Sequence, residues 1–366
     1  MMSFGDYLPH GLSTSSRKTS TPKGAGSAPP RRYLRAMLLE AIRAQDNRLH
    51  TPHASREPLP WYLVLGASSS GKTTLLCTLG TMVTPSTLPP HSSEGSTFAC
   101  MWWPCAEAIF LETAGYYVTP AEEVHHRTEW EALVRLLRQY RLRAPIHGLL
   151  ITVRADTLAS QLEEQDLSTT AAAEAINIRT CLDLVVQQLR CAIPVYVLIT
   201  CSDHIDGFTE FANSFPARTH QQVFGYVHPQ WPSTDAPIEP MVTTLNERLR
   251  QLRLSLYAQE GALIDVHREK IWGFPEEMRA LQIPLRAFLR TLFPADPWYH
   301  QQLFRGLFFC SARQDGPTFS FVRRQWQGME QSDGGTRSKS YFLQDLLTTL
   351  LPRDRTPMRP HRRGCR

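Results

Sequence analysis

Short apolar runs recur along this chain in the manner of buried β-strands. Each run is four to six residues long and lacks the strict apolar–polar alternation of a half-exposed strand, so we expect both faces of the sheet to be covered. The runs are Trp61–Gly66, Ala108–Leu111, Gly148–Val153, Val195–Thr200 and Leu307–Cys310.

Apolar residues between these runs recur at helical spacing. The two clearest stripes are Trp130, Leu133, Leu137 and Tyr140, followed by Ile178, Leu182, Val185 and Leu189. Buried strands that alternate with amphipathic helices predict an α/β fold built on a doubly wound sheet.

One long stretch breaks this alternation. Between Phe208 and about Gln302 the pattern predicts no strand. It predicts two helices, one marked by the leucines at 245, 249, 252 and 256 and the other spanning Met278–Phe293. We interpret the stretch as a mostly helical insertion before the last strand. Internal packing is a better explanation of the leucine stripe than a partner surface.

These patterns divide the chain into five parts. Residues 1–30 are rich in Ser, Pro, Gly and Thr and are predicted to be disordered. Residues 31–207 form the first part of the main domain, opening with an amphipathic helix at Arg32–Arg43. Residues 208–302 form the insertion, 303–350 complete the domain, and 351–366 form a basic, disordered tail.

Composition narrows the class of protein. The 366 residues are 42% hydrophobic and 20% charged, with a net charge of +5 concentrated in the terminal segments, so no nucleic-acid partner is expected. Eight cysteines without a disulfide framework fit a reducing compartment. No apolar run approaches the ~20 residues of a membrane helix, and we therefore expect a cytoplasmic protein.

The strongest chemical signal follows the first apolar run. Gly66-Ala67-Ser68-Ser69-Ser70-Gly71-Lys72-Thr73 matches G-x-x-x-x-G-K-[ST]. We call Gly66–Thr73 the phosphate loop. Its two glycines permit backbone angles that a Cβ would forbid, and its N–H groups are expected to cradle phosphates at a helix N-terminus. Lys72 supplies a cation to the β- and γ-phosphates, Thr73 a hydroxyl ligand to Mg²⁺, and Thr74 continues into the helix.

Other candidate ligand contacts follow the later strands. Glu112-Thr113-Ala114-Gly115 resembles the D-T-A-G of GTPase-like proteins, which places Glu112 near Mg²⁺ and the Gly115 N–H near a γ-phosphate. Thr97 is placed like a switch threonine that closes over Mg²⁺.

The nucleobase end carries a weaker version of the GTPase pattern. Asp203, in Thr200-Cys201-Ser202-Asp203, is placed to accept hydrogen bonds from a base, but Cys201 replaces the usual Lys. Guanine preference is therefore not supported, and at this point ATP and GTP both remain candidates. Ser311-Ala312 resembles the short turn beside the base. All these residues fall at strand C-termini, where open α/β sheets bind ligands.

The residues that drive hydrolysis are missing from the pattern. GTPases orient the attacking water with a Gln soon after D-T-A-G, and here Tyr116 and Tyr117 follow Gly115. Arg127, Arg154 and Arg179 are candidates for an arginine finger only by elimination. We expect slow hydrolysis, or none without a partner, from Lys72 and Thr73 alone.

Taken together, these segments resemble the cytoplasmic domain of the IcmF/TssM family. The similarity covers about residues 34–350. Its segments are Pro60–Leu76 (PWYLVLGASSSGKTTLL), Leu111–Tyr117 (LETAGYY), Ala144–Val153 (APIHGLLITV), Ile193–Phe208 (IPVYVLITCSDHIDGF), Val223–Gly225, Leu303–Gly316 (LFRGLFFCSARQDG) and Tyr341–Leu347 (YFLQDLL).

The resemblance implies a role in bacterial type VI secretion. TssM proteins are inner-membrane subunits that assemble with TssL and TssJ, and their cytoplasmic part faces TssL and the baseplate. It further implies a GTPase-like P-loop NTPase fold with an ATP-type site. We expect a member without the family's membrane helices and periplasmic part, located at the inner membrane only through TssL-like or other partners.

Three functions remain open at this point. The first is an assembly component whose nucleotide site acts as a conformational switch. The second is a free-standing soluble ATPase or GTPase, which the missing Gln and Asp disfavour. The third is a scaffold with a degenerate phosphate loop, which the intact Lys72 and Thr73 disfavour.

Overall fold

A seven-stranded sheet forms the centre of the molecule. The computed structural model of the chain describes residues 31–49, 58–79, 100–118, 123–142, 144–160, 170–229, 238–258, 268–294, 304–314, 316–327, 339–354 and 359–360. The predicted disordered segment 1–30 and Thr97 lie outside these residues.

The strand order of this sheet is that of a doubly wound α/β fold. Its strands are β1 (Trp61–Leu65), β2 (Cys100–Pro104), β3 (Ile109–Thr113), β4 (Gly148–Arg154), β6 (Val195–Thr200), β7 (Gly225–Val227) and β8 (Phe304–Phe309), and the short strand β5 (Cys191–Ala192) lies outside this sheet. They lie in the order β2-β3-β1-β4-β6-β8-β7. Strands β3, β1, β4, β6 and β8 run parallel, and all five coincide with the predicted apolar runs. The predicted α/β sheet is confirmed.

Both edge strands are antiparallel, and the apolar pattern did not predict either of them. β2 pairs with β3, and β7 pairs with β8. The prediction of no strand between Phe208 and Gln302 was therefore wrong at β7. This strand is only three residues long and half-buried, so it leaves no continuous apolar run.

Alternate residues of each strand enter two separate cores. On β1, Trp61, Leu63 and Leu65 pack into one core, whereas Tyr62 and Val64 pack into the other. The larger core lies beneath the long helices, including those of the helical insertion, and the smaller lies beneath the helix that follows the phosphate loop and the segment Leu343–Leu351. Because both faces are covered, the central strands read as continuous apolar runs.

The helices that the pattern predicted are present with longer bounds, together with two short helices, at Ala155–Ser160 and Phe208–Asn213, that it did not predict. They are α1 (Arg31–Leu49), α2 (Lys72–Cys77), α3 (Glu123–Tyr140), α4 (Ala155–Ser160), α5 (Thr170–Leu189), α6 (Phe208–Asn213), α7 (Ile238–Ala258) and α8 (Arg268–Leu292). Helix α8 packs on α5 and α7. Among the described residues, no helix has the length and apolar character that crossing a bilayer demands.

The leucine stripe of α7 faces mostly inward. Leu245, Leu249 and Leu256 are buried, whereas Leu252 is 41% exposed. Internal packing therefore accounts for most of the stripe.

The packed part of the chain extends past residue 350, where the sequence pattern ended it. A π-helical turn at Leu346–Leu350 continues into α9 (Leu351–Arg353), and Leu351 is fully buried. Asp354 then accepts hydrogen bonds from Arg305 Nε (2.6 Å) and Tyr196 Oη (2.8 Å). Residues 351–354 are thus part of the fold, because this ion pair anchors them to β6 and β8.

We predict that Asp354→Ala lowers the free energy of unfolding by about 2 kcal/mol, since it leaves the largely buried Arg305 guanidinium without its carboxylate. Chemical denaturation measures the change. Arg323→Ala, which breaks an exposed pair with Glu269, is the control and is expected to cost less than about 1 kcal/mol. Equal effects of the two variants would contradict the anchoring role of Asp354.

Candidate functional site

A cleft of 490 Å³ opens at the carboxyl end of the sheet. Segments that follow β1, β3, β4, β6 and β8 converge on it, as expected for a ligand site in an open α/β sheet. Its lining residues are Ser68, Ser69, Ser70, Gly71, Lys72, Thr73, Thr74, Leu75, Glu112, Gly115, Tyr116, Arg154, Thr200, Cys201, Cys310, Ala312 and Arg313.

The two loop glycines are required for different reasons. Gly71 precedes α2 with a φ of 81°, in the left-handed region that favours glycine. Gly66 was predicted to be required for its backbone angles, but it is required because there is no space for a side chain at this position. A Cβ at Gly66 would lie 2.2 Å from Thr152 Oγ1 on β4 and 2.7 Å from Ser70 Oγ. The loop is therefore pressed against the neighbouring strand.

Lys72 reaches across the phosphate loop. Its ammonium group donates hydrogen bonds to the carbonyl oxygens of Gly66 (2.8 Å) and Ala67 (2.7 Å) and to Ser70 Oγ (3.3 Å). Burial lowers the pKa of Lys72 to about 8, against the opposing effect of the Glu112 and Glu174 carboxylates. A buried cation held among loop oxygens is well placed to receive an anion.

Two of the three predicted Mg²⁺ ligands, Thr73 and Glu112, lie in contact, and the third, Thr97, is outside the described residues. Thr73 Oγ1 donates a hydrogen bond to Glu112 Oε1 at 2.5 Å, and Trp103 Nε1 donates to Glu112 Oε2 at 2.9 Å. A hydroxyl and a carboxylate in contact are the oxygen donors that Mg²⁺ prefers, so the residues fit the ion. The extra methylene of Glu112 is accommodated, because Trp103 on β2 fixes its second oxygen.

The segment after β3 lies directly against the phosphate loop. A Cβ on Gly115 would lie 2.2 Å from the backbone nitrogen of Ser68, so no larger residue fits there. The next residue, Tyr116, lines the cleft and donates a hydrogen bond to Glu129 Oε2 at 3.1 Å. Burial raises the pKa of Glu129 to about 7. The position of the expected Gln is thus occupied by a tyrosine tied to a buried acid.

The residues predicted to lie beside the nucleobase fall into two groups, of which only one lines the cleft. Ala312 lines the cleft together with Cys201, which adopts a left-handed φ of 51°. Asp203 and Ser311 are buried and do not line it. The Asp203 carboxylate lies 3.8 Å from His204 Nε2. Contact of Asp203 or Ser311 with a base stays a prediction.

A polar network connects this region to the phosphate loop. Arg154, at the end of β4, donates to the Ser69 carbonyl at 3.0 Å and to Asp156 Oδ1 at 2.8 Å. Asp156 Oδ2 also lies 3.2 Å from His204 Nδ1. Burial raises the pKa of Asp156, but the hydrogen bonds from Arg154 and His204 outweigh burial and hold the pKa well below its usual range.

Several of these residues carry no recognisable sequence signal. Trp103 contacts the site from the short edge strand β2, and Glu174 contacts it from near the N-terminal end of α5. The other arginines considered for catalysis lie elsewhere: Arg179 pairs with Asp183, and Arg127 pairs with Glu131 at the surface. Arg154 alone of the three lines the cleft.

The sheet order and the phosphate loop define a P-loop NTPase-like protein. Residues 123–366 match the family of IcmF-related N-terminal domains. This match covers more than half of the chain, and the chain belongs to that family.

One curated relative gives the similarity over a longer stretch. The type VI secretion system component TssM1 of Pseudomonas aeruginosa is 32% identical over 307 residues, which make up 79% of this chain and 27% of that protein. The chain thus spans about a quarter of the length of this relative.

Solved structures give weaker likenesses. The signal recognition particle receptor SRb-GTP/SRX complex from Chaetomium thermophilum matches at 17% identity and a TM-score of 0.24, covering 40% of this chain and 71% of that one. NFeoB from S. thermophilus, bound to GDP.AlF4- and K+, matches at 11% identity and a TM-score of 0.25, covering 64% and 99%. The fold assignment rests on the strand order instead.

We predict that Asp156→Asn lowers the free energy of unfolding at pH 7 by about 2 kcal/mol. Because folding lowers the pKa of Asp156, its ionised carboxylate stabilises the folded state at every pH above about 4, the pKa of an unperturbed Asp. This stability is lost as the pH falls through the lower pKa that Asp156 has in the folded protein. Denaturation of both proteins at pH 7 and at successively lower pH measures the difference. A gap that stays constant below pH 4 would contradict the linkage.

Proposed function

We propose that this chain is the nucleotide-binding part of a TssM-like subunit of a type VI secretion system. It binds a nucleoside triphosphate, ATP in preference to GTP, together with Mg²⁺, and acts as a conformational switch during assembly. The observation that carries the proposal is the pairing of an intact phosphate loop with Glu112 across the same cleft.

The phosphate loop supplies the anion-binding groups. The backbone N–H groups of Ser69–Thr73 lie at the N-terminus of α2 and, with the Lys72 ammonium, would hold the β- and γ-phosphates. Phosphate oxygens would replace the loop carbonyls as hydrogen-bond partners of Lys72. Negative charge beside Lys72 keeps its ammonium form, which offsets the burial that lowers its pKa.

Thr73 and Glu112 would hold Mg²⁺, with Thr97 as a further candidate outside the described residues. When bound, the ion neutralises charge on the phosphates. Trp103 holds one Glu112 oxygen in place, which leaves the other directed at Thr73.

The proposed conformational switch is based on the contact between Gly115 and Ser68 of the phosphate loop. Since Gly115 lies against Ser68, a group that occupies the loop acts on the short 3₁₀ turn Gly115–Val118. That turn packs on α3 and α5. Displacement of the turn would therefore reposition two helices on one face of the sheet.

The residues of the turn Gly115–Val118 are consistent with slow hydrolysis of the nucleotide. Tyr116 occupies the position where the expected Gln would orient water, and its hydroxyl is engaged by Glu129. Arg154 lines the cleft but is committed to Ser69 and Asp156. The described residues thus favour binding and signalling over rapid turnover.

The secretion context supplies the partners. The family and the relative TssM1 point to contacts with TssL-like and other secretion-complex or baseplate subunits. We propose that contacts with these proteins place the chain at the inner membrane.

One observation favours the alternative of a non-binding scaffold. Lys72 and Thr73 make internal hydrogen bonds to Gly66, Ala67, Ser70 and Glu112, which stabilise the loop without a ligand. In that reading, the loop is a structural element and partner binding is independent of nucleotide.

We predict that Lys72→Ala weakens binding of an ATP analogue with Mg²⁺ by about 30- to 150-fold. The reason is the loss of charge-assisted hydrogen bonds worth about 2–3 kcal/mol. Isothermal titration calorimetry measures the affinity, and circular dichroism checks that the fold survives.

The matched control is Lys270→Ala. Lys270 pairs with Glu210 on the insertion side and does not line the cleft, so its loss should leave the affinity unchanged. Equal affinities of the wild type and Lys72→Ala would refute the phosphate-loop assignment. No binding by the wild type at millimolar nucleotide would favour the scaffold.

We further predict that Cys201→Lys raises the affinity for GTP relative to ATP, because it restores the cation of the guanine-reading pattern at a residue that lines the cleft. Competition calorimetry with both nucleotides gives the ratio. An unchanged ratio would mean that the turn of Cys201 and Asp203 does not contact the base.

A further inference from the structure

Glu174 is a buried carboxyl group behind the phosphate loop. It lies on α5, is only 8% exposed, and accepts a hydrogen bond from the backbone N–H of Ala67. Its Oε1 atom is fully buried and has no hydrogen-bond partner within the described part of the chain. A carboxylate oxygen in this situation is costly to keep ionised, so the residue calls for an explanation beyond packing.

Two charged side chains act on Glu174 from neighbouring helices. Lys72 on α2 favours its ionised form, and Asp156 on α4 disfavours it. Burial is the largest influence and raises the pKa of Glu174 to about 7. The carboxyl group therefore exchanges a proton in the physiological range while it contacts the loop.

We propose that Glu174 is a positioning residue of the phosphate loop that takes up a proton when the triphosphate binds. The inference rests on the proposed function and adds a coupling that neither the family nor the sequence motifs indicate. Ala67 and Lys72 connect the carboxyl group to the bound phosphates from opposite ends of the same loop.

The direction of the coupling follows from charge. A triphosphate at the loop brings several negative charges toward Glu174, and it also pairs with Lys72, whose positive charge then stabilises the Glu174 carboxylate less. Both changes disfavour the ionised form of Glu174. Protonation removes that repulsion and leaves the Ala67 contact, since a protonated carboxyl still accepts a hydrogen bond. Nucleotide affinity should therefore fall as pH rises above the free pKa of Glu174.

Calorimetry in buffers of different ionisation enthalpy measures the protons directly. A non-hydrolysable ATP analogue with excess Mg²⁺ is titrated into the wild type at pH 7. We expect uptake of roughly 0.3–0.5 proton per nucleotide, because a group half protonated in the free protein becomes nearly fully protonated. This measurement needs no variant, and uptake of no proton would overturn the proposal.

Glu174→Gln identifies the source of the proton. This isosteric variant is permanently neutral, so proton uptake at pH 7 should be largely lost. Between pH 6 and 8.5 the wild-type affinity should fall roughly tenfold more than that of the variant. A purely structural role would weaken binding at every pH instead. Unchanged proton uptake in Glu174→Gln would overturn the proposal.

Glu277→Gln is the matched control. Glu277 is also a buried acid with a raised pKa, but its carboxylate accepts hydrogen bonds from Ser320 and Val322 beside α8, and it does not line the cleft. Its loss should leave proton uptake at the wild-type value. Nucleotide binding without proton uptake would refute this coupling alone, whereas no binding to the wild type would refute the proposed function as well.

Discussion

The close packing of the phosphate loop on the strands beside β1 is the constraint on which the candidate site depends. Gly66 leaves no room for a Cβ against Thr152 of β4, and Ser70 Oγ lies 2.7 Å from Thr152 Oγ1. Thr200, at the end of β6, donates to the Ser70 carbonyl at 2.8 Å. Three adjacent parallel strands thus hold one loop, and their parallel register places every later contact at the same edge of the sheet.

Buried charge is the second constraint on the site, since the ionisable side chains of Lys72, Glu112 and Glu174 around the loop are buried. Lys72 is compensated by loop oxygens and by two acids, Glu112 and Glu174, while Asp156 is held ionised by Arg154 and His204. Removing one partner from such a network leaves an unpaired buried charge, which is more costly than the pair is stabilising. The same arrangement makes the loop sensitive to an arriving anion, because Lys72 and Glu174 each change their charge balance when negative charge is added beside them.

A continuous path of packed elements runs from the candidate site to the helical insertion. The turn Gly115–Val118 contacts the loop on one side and helices α3 and α5 on the other, and α5 in turn packs on α8 of the helical insertion. The insertion is therefore connected to the phosphate loop through packed helices and not through an extended linker. Such contiguous packing is the physical requirement for coupling between a ligand site and a partner surface.

The sequence by itself determined the central strands, the doubly wound fold, the phosphate loop and the presence of Glu112 and Gly115 beside it. These features follow from local patterns: continuous apolar runs, helical spacing, and a loop whose glycines and lysine are fixed by short-range chemistry. Only the tertiary structure decided that Gly66 is required for space, that Asp203 and Ser311 are buried outside the lining of the cleft, that Trp103 contacts Glu112, and that Glu174 contacts the loop at Ala67. Those positions depend on which helix or edge strand packs beside the loop, and contacts between different elements, such as that of Ala67 with Glu174, leave no periodic trace in the chain.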